Sequence, residues 1–249
     1  MTTIAALIIT YNEEENIEDC LESIKWVDEI VVIDSYSEDN TVEICRKYTE
    51  KVFPRKFDDF ASQRNCGLEK IESDWVLVVD ADERVTGELK DEIKNVLFSN
   101  DTVQAYKIPR KNYFLGKWIK HCGWYPDYTL RVFMNKKNQF EGMVHEKVTV
   151  NGEVQKMKNN LIHYTYYNIS QFIQKTDKYT TLDAIDMYRK GRKFKLGSIL
   201  INPIWRFIRM FIIKRGYKDG IRGFILSMLY LFYAFLKYIK LFEIWNNGE

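Results

Sequence analysis

Short apolar runs separated by helical patterns fill the first hundred residues of this chain. Ile4 to Ile9, Ile30 to Ile33, Lys51 to Phe53 and Trp75 to Val79 are runs of the length expected for strands buried on both faces. Between them, Glu14 to Lys25 places Ile17, Leu21 and Ile24 on one helical face, and Ser37 stands where it can cap a helix running to about Tyr48. Phe60 to Ile71 reads as a third helix, with Arg64 beside its apolar stripe, and a fourth follows from about Gly87 to Phe98. Alternation of strand and helix predicts an α/β fold with a mostly parallel central sheet and flanking helices.

From Ala105 to about Val150 the period changes to strand alternation, dense in aromatics: Tyr113, Phe114, Trp118, Trp124, Tyr125 and Tyr128. These build either a hairpin-rich core or a sugar-binding wall. From Ser170 the pattern is helical, and from Leu196 it is strongly apolar with interspersed cations. The expected organisation is a catalytic domain over residues 1–165, divided into halves at 1–100 and 101–165, with a helical extension over 166–249.

Charge sharpens the picture of that extension. The formal net charge is +2, yet residues 186–240 hold thirteen Lys and Arg against two acids. Arg206, Arg209, Lys214 and Arg215 beside Ile204, Trp205, Phe207, Ile208 and Phe211 suit an amphipathic helix in an anionic headgroup layer. Docking on the rest of the chain or on a second subunit, as in a homo-oligomer, is the other use of such a face. Phe224 to Leu236 is the longest uncharged apolar run, short of the roughly 20 residues that cross a bilayer. Interleaving of cations with aliphatic and aromatic runs argues against nucleic-acid binding. The four cysteines form no C-x-x-C pair, and the N-terminus has no basic, apolar leader, so a cytoplasmic protein is expected.

Ligands of open α/β sheets sit beyond the carboxyl ends of the strands. Three polar clusters fall there: Thr10-Tyr11-Asn12-Glu13, Asp34-Ser35 and Asp80-Ala81-Asp82-Glu83. Asp80 and Asp82, two apart at a strand exit, can face one ligand while Ala81 leaves room. A hard cation held by one or two such carboxylates can neutralise the diphosphate of an activated sugar. Glycine-rich nucleotide loops are absent, and the acidic run Glu13 to Glu15 would repel the triphosphate that a sugar nucleotidyltransferase grips. A non-catalytic membrane-associated scaffold is the remaining alternative.

Three segments carry a family resemblance: Ile8-Ile9-Thr10-Tyr11-Asn12-Glu13-Glu14, Val31-Val32-Ile33-Asp34-Ser35 with Ser37, Asp39 and Thr41, and Asp74 to Glu83. The chain resembles glycosyltransferase family 2, with a Rossmann-like GT-A fold. Phe60 to Asn65 and Val144-His145-Glu146 are similar to the branch of lipopolysaccharide core β-1,4-glucosyltransferases. The resemblance implies inverting transfer of a hexose, glucose first, from a UDP-sugar to a lipid-linked saccharide. This would occur at the inner face of the cytoplasmic membrane, with Mg²⁺ or Mn²⁺ as cofactor. Thr10, Tyr11, Asn12, Glu13, Asp34, Ser35, Arg64, Asp80 and Ala81 would line the donor, and Asp82, with Asp80, would hold the metal. Ser35 replaces the second acid of many relatives, which puts carboxylate readout of the base at that position in question. Trp124, Asp127, Arg131 and His145 would face the acceptor. An inverting reaction needs a base for the acceptor hydroxyl. Glu146 is the first choice, with Asp127, Glu141 and His145 open. His163 reads as a hydrogen-bonded histidine or a further ligand.

Overall fold

A computed structural model describes residues 2–97, 102–135, 138–142 and 147–247. The N-terminal elements are β1 (Ile4–Thr10), α1 (Ile17–Ile24), β2 (Glu29–Asp34), α2 (Thr41–Arg46), β3 (Val52–Pro54), α3 (Phe60–Leu68), β4 (Trp75–Val78), β5 (Glu83–Val85) and α4 (Gly87–Leu97). Next come β6 (Val103–Phe114), β7 (Lys117–Trp118), β8 (Asp127–Met134), β9 (Phe140–Glu141), β10 (Lys147–Val148), β11 (Glu153–Lys156) and β12 (Leu161–Tyr166). The chain ends in α5 (Ile169–Arg189), α6 (Leu196–Ile208), a π-helical turn (Arg209–Ile213), a 3₁₀ turn (Gly216–Asp219) and α7 (Ile221–Asn247).

The chain forms two compact units, residues 1–111 with 127–163 and residues 112–126 with 164–249. Segment 112–126 thus groups with the C-terminal helices.

In the first unit β3, β2, β1 and β4 run parallel, and β8 and then β6 continue the sheet antiparallel. Period-two alternation along β1 divides its side chains between two cores. Ile4, Ala6 and Ile8 pack with Ile17, Leu21 and Ile24 of α1 and Leu89 and Ile93 of α4. Ala5 and Leu7 pack with Val31, Ile33 and Ala61 on the other face. Both faces are covered, which is why these strands read as continuous apolar runs.

Gly67 fixes how close α3 comes to the sheet. A Cβ there would stand 2.2 Å from Cδ1 of Leu7 and 3.1 Å from Cγ1 of Ile33. Arg64 lies one turn earlier and shares that buried face. The buried residues of α3 are Ala61, Gln63, Arg64 and Gly67, whereas Phe60 and Leu68 of the expected stripe Phe60, Gly67, Leu68 and Ile71 are half-buried. Ser37 does not cap α2, which starts at Thr41; Asp39 instead accepts from the Thr41 amide and hydroxyl.

The second unit has its own cores. Phe114, Ile119 and Cys122 pack with Met210 and Leu226, while Ala184 and Met187 of α5 meet Leu241 of α7. Leu196–Ile213 and Ile221–Asn247 are both long and apolar enough to cross a membrane. The Phe224–Leu236 run expected to be too short is embedded in a 27-residue helix, whose rise is about 40 Å.

Candidate functional site

The end of β1, the end of β2 and the exit of β4 share one edge of the sheet, as the register Thr10↔Asp34 and the pairing Leu7↔Val78 require. Their polar residues all belong to the first unit. The β1–α1 turn is locked to the β2–α2 turn by hydrogen bonds. Asn12, in left-handed backbone at φ 51°, donates its amide to Ser37 Oγ at 2.9 Å and accepts from the Glu38 amide at 2.8 Å. The Glu13 amide donates to Thr41 Oγ1 at 2.8 Å, and its carboxylate accepts from Asn16 Nδ2 at 2.7 Å.

Ser37 also holds Asp34, donating its amide to Oδ2 at 2.9 Å and its hydroxyl to Oδ1 at 2.5 Å. Ser35 donates its amide to the Thr10 carbonyl and accepts from Gln63 Nε2, both at 2.9 Å. Beside them, Oγ1 of Thr10 is buried without a hydrogen-bond partner among the described residues. Tyr11 is exposed. These positions form a shelf of ordered backbone beside one unspent hydroxyl.

At the β4 exit the residues form an ionic lattice. Asp80 accepts from Arg64 Nη2 through Oδ1 at 2.7 Å and from Arg131 Nη2 through Oδ2 at 2.6 Å. The same Arg131 nitrogen donates to Oε1 of Glu83 at 2.6 Å. Glu83, fully buried at the start of β5, accepts from the Asp80 amide at 3.0 Å through Oε2 and donates its own amide to the Asp80 carbonyl at 2.9 Å. Arg110 lies 3.4 Å from Glu83 and donates to Asp127 Oδ2 from Nε at 2.9 Å and from Nη2 at 2.5 Å. Arg110 and Asp127 are register partners across β6 and β8, so the sheet itself sets this pair.

Burial opposes ionisation of Asp80, but the charges of Arg131 and Arg64 and the Arg131 hydrogen bond hold its carboxyl well below the usual range. Burial likewise opposes the charge on Arg131, and the Asp80 and Glu83 carboxylates override it and raise its pKa. Burial pulls Arg64 the other way, below its ordinary value, and a guanidinium remains charged at neutral pH.

Asp82, two residues on, has Oδ2 3.5 Å from Nε2 of His163. The antiparallel register of β5 and β12 places His163 opposite Glu83 and hence beside Asp82. Among the described residues there is no cluster of three or more His, Cys, Asp or Glu side chains to hold a metal. A hard divalent ion that keeps its waters and takes phosphate oxygens needs only one or two protein carboxylates. Asp82 with His163 nearby fits that requirement, whereas both oxygens of Asp80 are engaged by arginines.

Arg131, expected at the acceptor, is instead 3% exposed and spent on Asp80 and Glu83. Ala81, expected against the donor, is buried, and its carbonyl accepts from Arg84 Nη1 at 2.8 Å. Trp124, also expected at the acceptor, lies in the second unit among Phe114, Tyr166 and Tyr230, with ring centroids 6.2–6.4 Å away. Glu141 is exposed in β9. His145 and Glu146 lie outside the described residues. Glu83 and Arg110 went unassigned in the sequence. Glu83 was visible as the last member of Asp-Ala-Asp-Glu, while nothing local marked Arg110.

The model of glycosyl transferase family 2 matches residues 5–232. An uncharacterized glycosyltransferase of Rickettsia typhi is 30% identical over 258 residues, covering 98% of this chain and 88% of its own. The lipopolysaccharide core biosynthesis glycosyltransferase LpsC of Rhizobium meliloti is 27% identical over 253 residues, covering 96% of this chain and 92% of its own. Among solved structures, a glucosyl-3-phosphoglycerate synthase of Mycobacterium tuberculosis in complex with Mn²⁺, UDP-glucose and phosphoglyceric acid is similar over 44% of each chain, with 22% identity and a TM-score of 0.39.

Proposed function

The chain belongs to glycosyl transferase family 2, and we propose that it transfers a hexose, glucose first, from a UDP-sugar to a lipid-linked saccharide of lipopolysaccharide or a similar surface glycan, with inversion at the anomeric carbon. The observation that carries this reading is the Asp80–Glu83 corner at the β4 exit, held by Arg64 and Arg131 beside the Thr10 and Asp34 strand ends. The acceptor class is drawn from the full-length similarity to LpsC. Catalysis at the inner face of the cytoplasmic membrane follows from a lipid-linked acceptor and a nucleotide donor.

Each residue has a defined task. The Thr10–Glu13 turn and Asp34 cradle the nucleoside, and the buried Thr10 hydroxyl supplies one hydrogen bond that the described residues leave unmade. Asp80, held in its ionised form, accepts hydrogen bonds from hydroxyls of the donor and fixes its orientation. Asp82, with His163 nearby, would hold Mg²⁺ or Mn²⁺, which supplies charge neutralisation for the departing diphosphate. Glu146 takes the proton from the acceptor hydroxyl as it attacks. Asp127 is the weaker candidate for that role because Arg110 already donates twice to its Oδ2.

The test is a screen of UDP-sugars for hydrolysis without acceptor, with and without Mn²⁺. Metal-dependent turnover of at least one UDP-hexose is expected. No turnover of any UDP-sugar, together with no UDP binding, would overturn the proposal.

A further inference from the structure

The second unit exposes an apolar face that its own core does not use. On α6, Leu196, Leu200, Ile201, Ile204 and Trp205 are 53–76% exposed and follow i, i+4 spacing along one side. At the start of α7, Ile221 is 66% exposed and Phe224 and Met228 continue the stripe at i+3 and i+7. Phe207 and Phe211 both meet the Phe224 ring, with centroids 6.0 and 5.7 Å away, and so join the two helices side by side. Soluble monomers rarely leave so continuous an apolar surface uncovered.

Charge identifies what covers it. Arg206, Arg209, Lys214, Arg215 and Lys218 are exposed along the same stretch. The only acid between residues 187 and 242 is Asp219. It is buried, accepting from the Lys120 and His121 amides. An apolar stripe flanked by cations with no exposed acid matches an anionic lipid surface and repels a basic partner.

Packing decides between lying on a bilayer and crossing it. Length and composition alone allow α7 to span. However, α7 is tied along α5: the Tyr233 hydroxyl donates to Asp183 at 2.9 Å, and Lys240 Nζ donates to Asp177 at 2.7 Å and to Thr181 at 2.7 Å. Helix α5 carries Lys175, Asp177, Lys178, Asp183 and Asp186 and would be drawn into hydrocarbon with it. Burying that many charges is prohibitive. The α6–α7 turn adds Lys214, Arg215 and Lys218, which a spanning hairpin would carry to the far side.

We infer that the face formed by α6 and the first turns of α7 lies in the plane of an anionic bilayer, immersed to headgroup depth without crossing. The inference rests on the proposed function only for which membrane is meant. Its test is flotation with phosphatidylglycerol-containing or pure phosphatidylcholine vesicles, alongside acceptor-free hydrolysis of UDP-sugar. Wild-type protein should float with the anionic vesicles, less so in high salt, and should be released by alkaline carbonate. Ile201→Glu with Ile204→Glu should lower partitioning about tenfold or more while leaving hydrolysis and the melting temperature unchanged. Should that variant unfold, quenching of Trp205 by brominated lipid, read as the difference from Trp205→Phe, reports immersion directly. Absence of flotation with hydrolysis intact, resistance to carbonate, or a dimer in sizing experiments that the double variant abolishes would each overturn it. Absence of hydrolysis with flotation intact would count against the proposed function and not against this surface.

Discussion

Nη2 of Arg131 lies 2.6 Å from Oδ2 of Asp80, and the arginine is 3% exposed. A guanidinium so deeply buried cannot greet an incoming acceptor, so its effect on activity must run through the carboxylate it holds. Arg64 grips the other oxygen of Asp80, and the two contacts leave that carboxylate a single orientation.

Arg131→Ala should therefore be costly to the fold as well as to turnover. Removing one partner of a buried pair costs about 3–5 kcal/mol, or roughly 10 °C in Tm for a chain of this size. Arg131→Lys keeps the charge but replaces the planar guanidinium, whose Nη2 reaches both Asp80 and Glu83, with a shorter ammonium, and should recover part of the stability and less of kcat/KM. Thermal melts and steady-state kinetics on both variants check this, and equal kcat/KM in wild type and Arg131→Lys would remove Arg131 from the positioning role.

The pH dependence follows from the sign of the Asp80 shift. Its folded-state pKa is depressed below 3.8 by Arg131 and Arg64 against the cost of burial. The stabilisation is therefore complete above the unfolded carboxylate pKa and is lost as pH falls through the lower, folded value. The difference in unfolding free energy between wild type and Asp80→Asn should be flat from neutral pH down to about 5 and shrink below about 4. A titration of that difference between pH 6 and 8 would show that Asp80 is not held in this way.

Gly67→Ala tests the link between helix packing and the site. In an exposed helix the change would gain about 1 kcal/mol, but here the new Cβ meets Leu7 at 2.2 Å and Ile33 at 3.1 Å. Overpacking of this kind costs about 1–3 kcal/mol. The variant should melt lower and lose kcat/KM because α3 must lift, carrying Arg64 from Asp80. A melting temperature at or above wild type would show that the contact is relieved without moving α3.

Glu146→Gln should lose about 10²–10⁴-fold in the rate of transfer while UDP binding stays unchanged, as removal of a general base requires. Full activity would pass the role to Asp127, His145 or Glu141.

The parallel half of the fold was legible because strands buried on both faces leave unmistakable apolar runs, and Thr10, Asp34 and Asp80 were placed by counting to the ends of those runs. The lattice around Asp80 was not legible in the same way. Arg131 and Arg110 reach it from β8 and β6, and their pairing with Glu83 and Asp127 depends on antiparallel register that no local pattern encodes. Arg131 consequently reads, from the sequence, as an acceptor contact. The α7 helix was underestimated for a related reason. Lys237 and Lys240 interrupt its apolar run but, as good helix formers, do not end the helix, and Asp183 and Asp177 of α5 receive them, Lys237 Nζ at 3.7 Å and Lys240 Nζ at 2.7 Å.

The central proposal is that the β4 exit binds a sugar nucleotide, with Asp80 orienting the donor and Asp82 as the carboxylate that would hold the metal at its diphosphate. Calorimetric titration of UDP into wild-type protein and Asp82→Ala, each with Mn²⁺ and with chelator, reads it directly. Wild type should bind UDP about tenfold or more tightly with Mn²⁺ than without, and Asp82→Ala should bind equally weakly in both conditions. Unchanged, Mn²⁺-enhanced binding of UDP by Asp82→Ala would contradict the account.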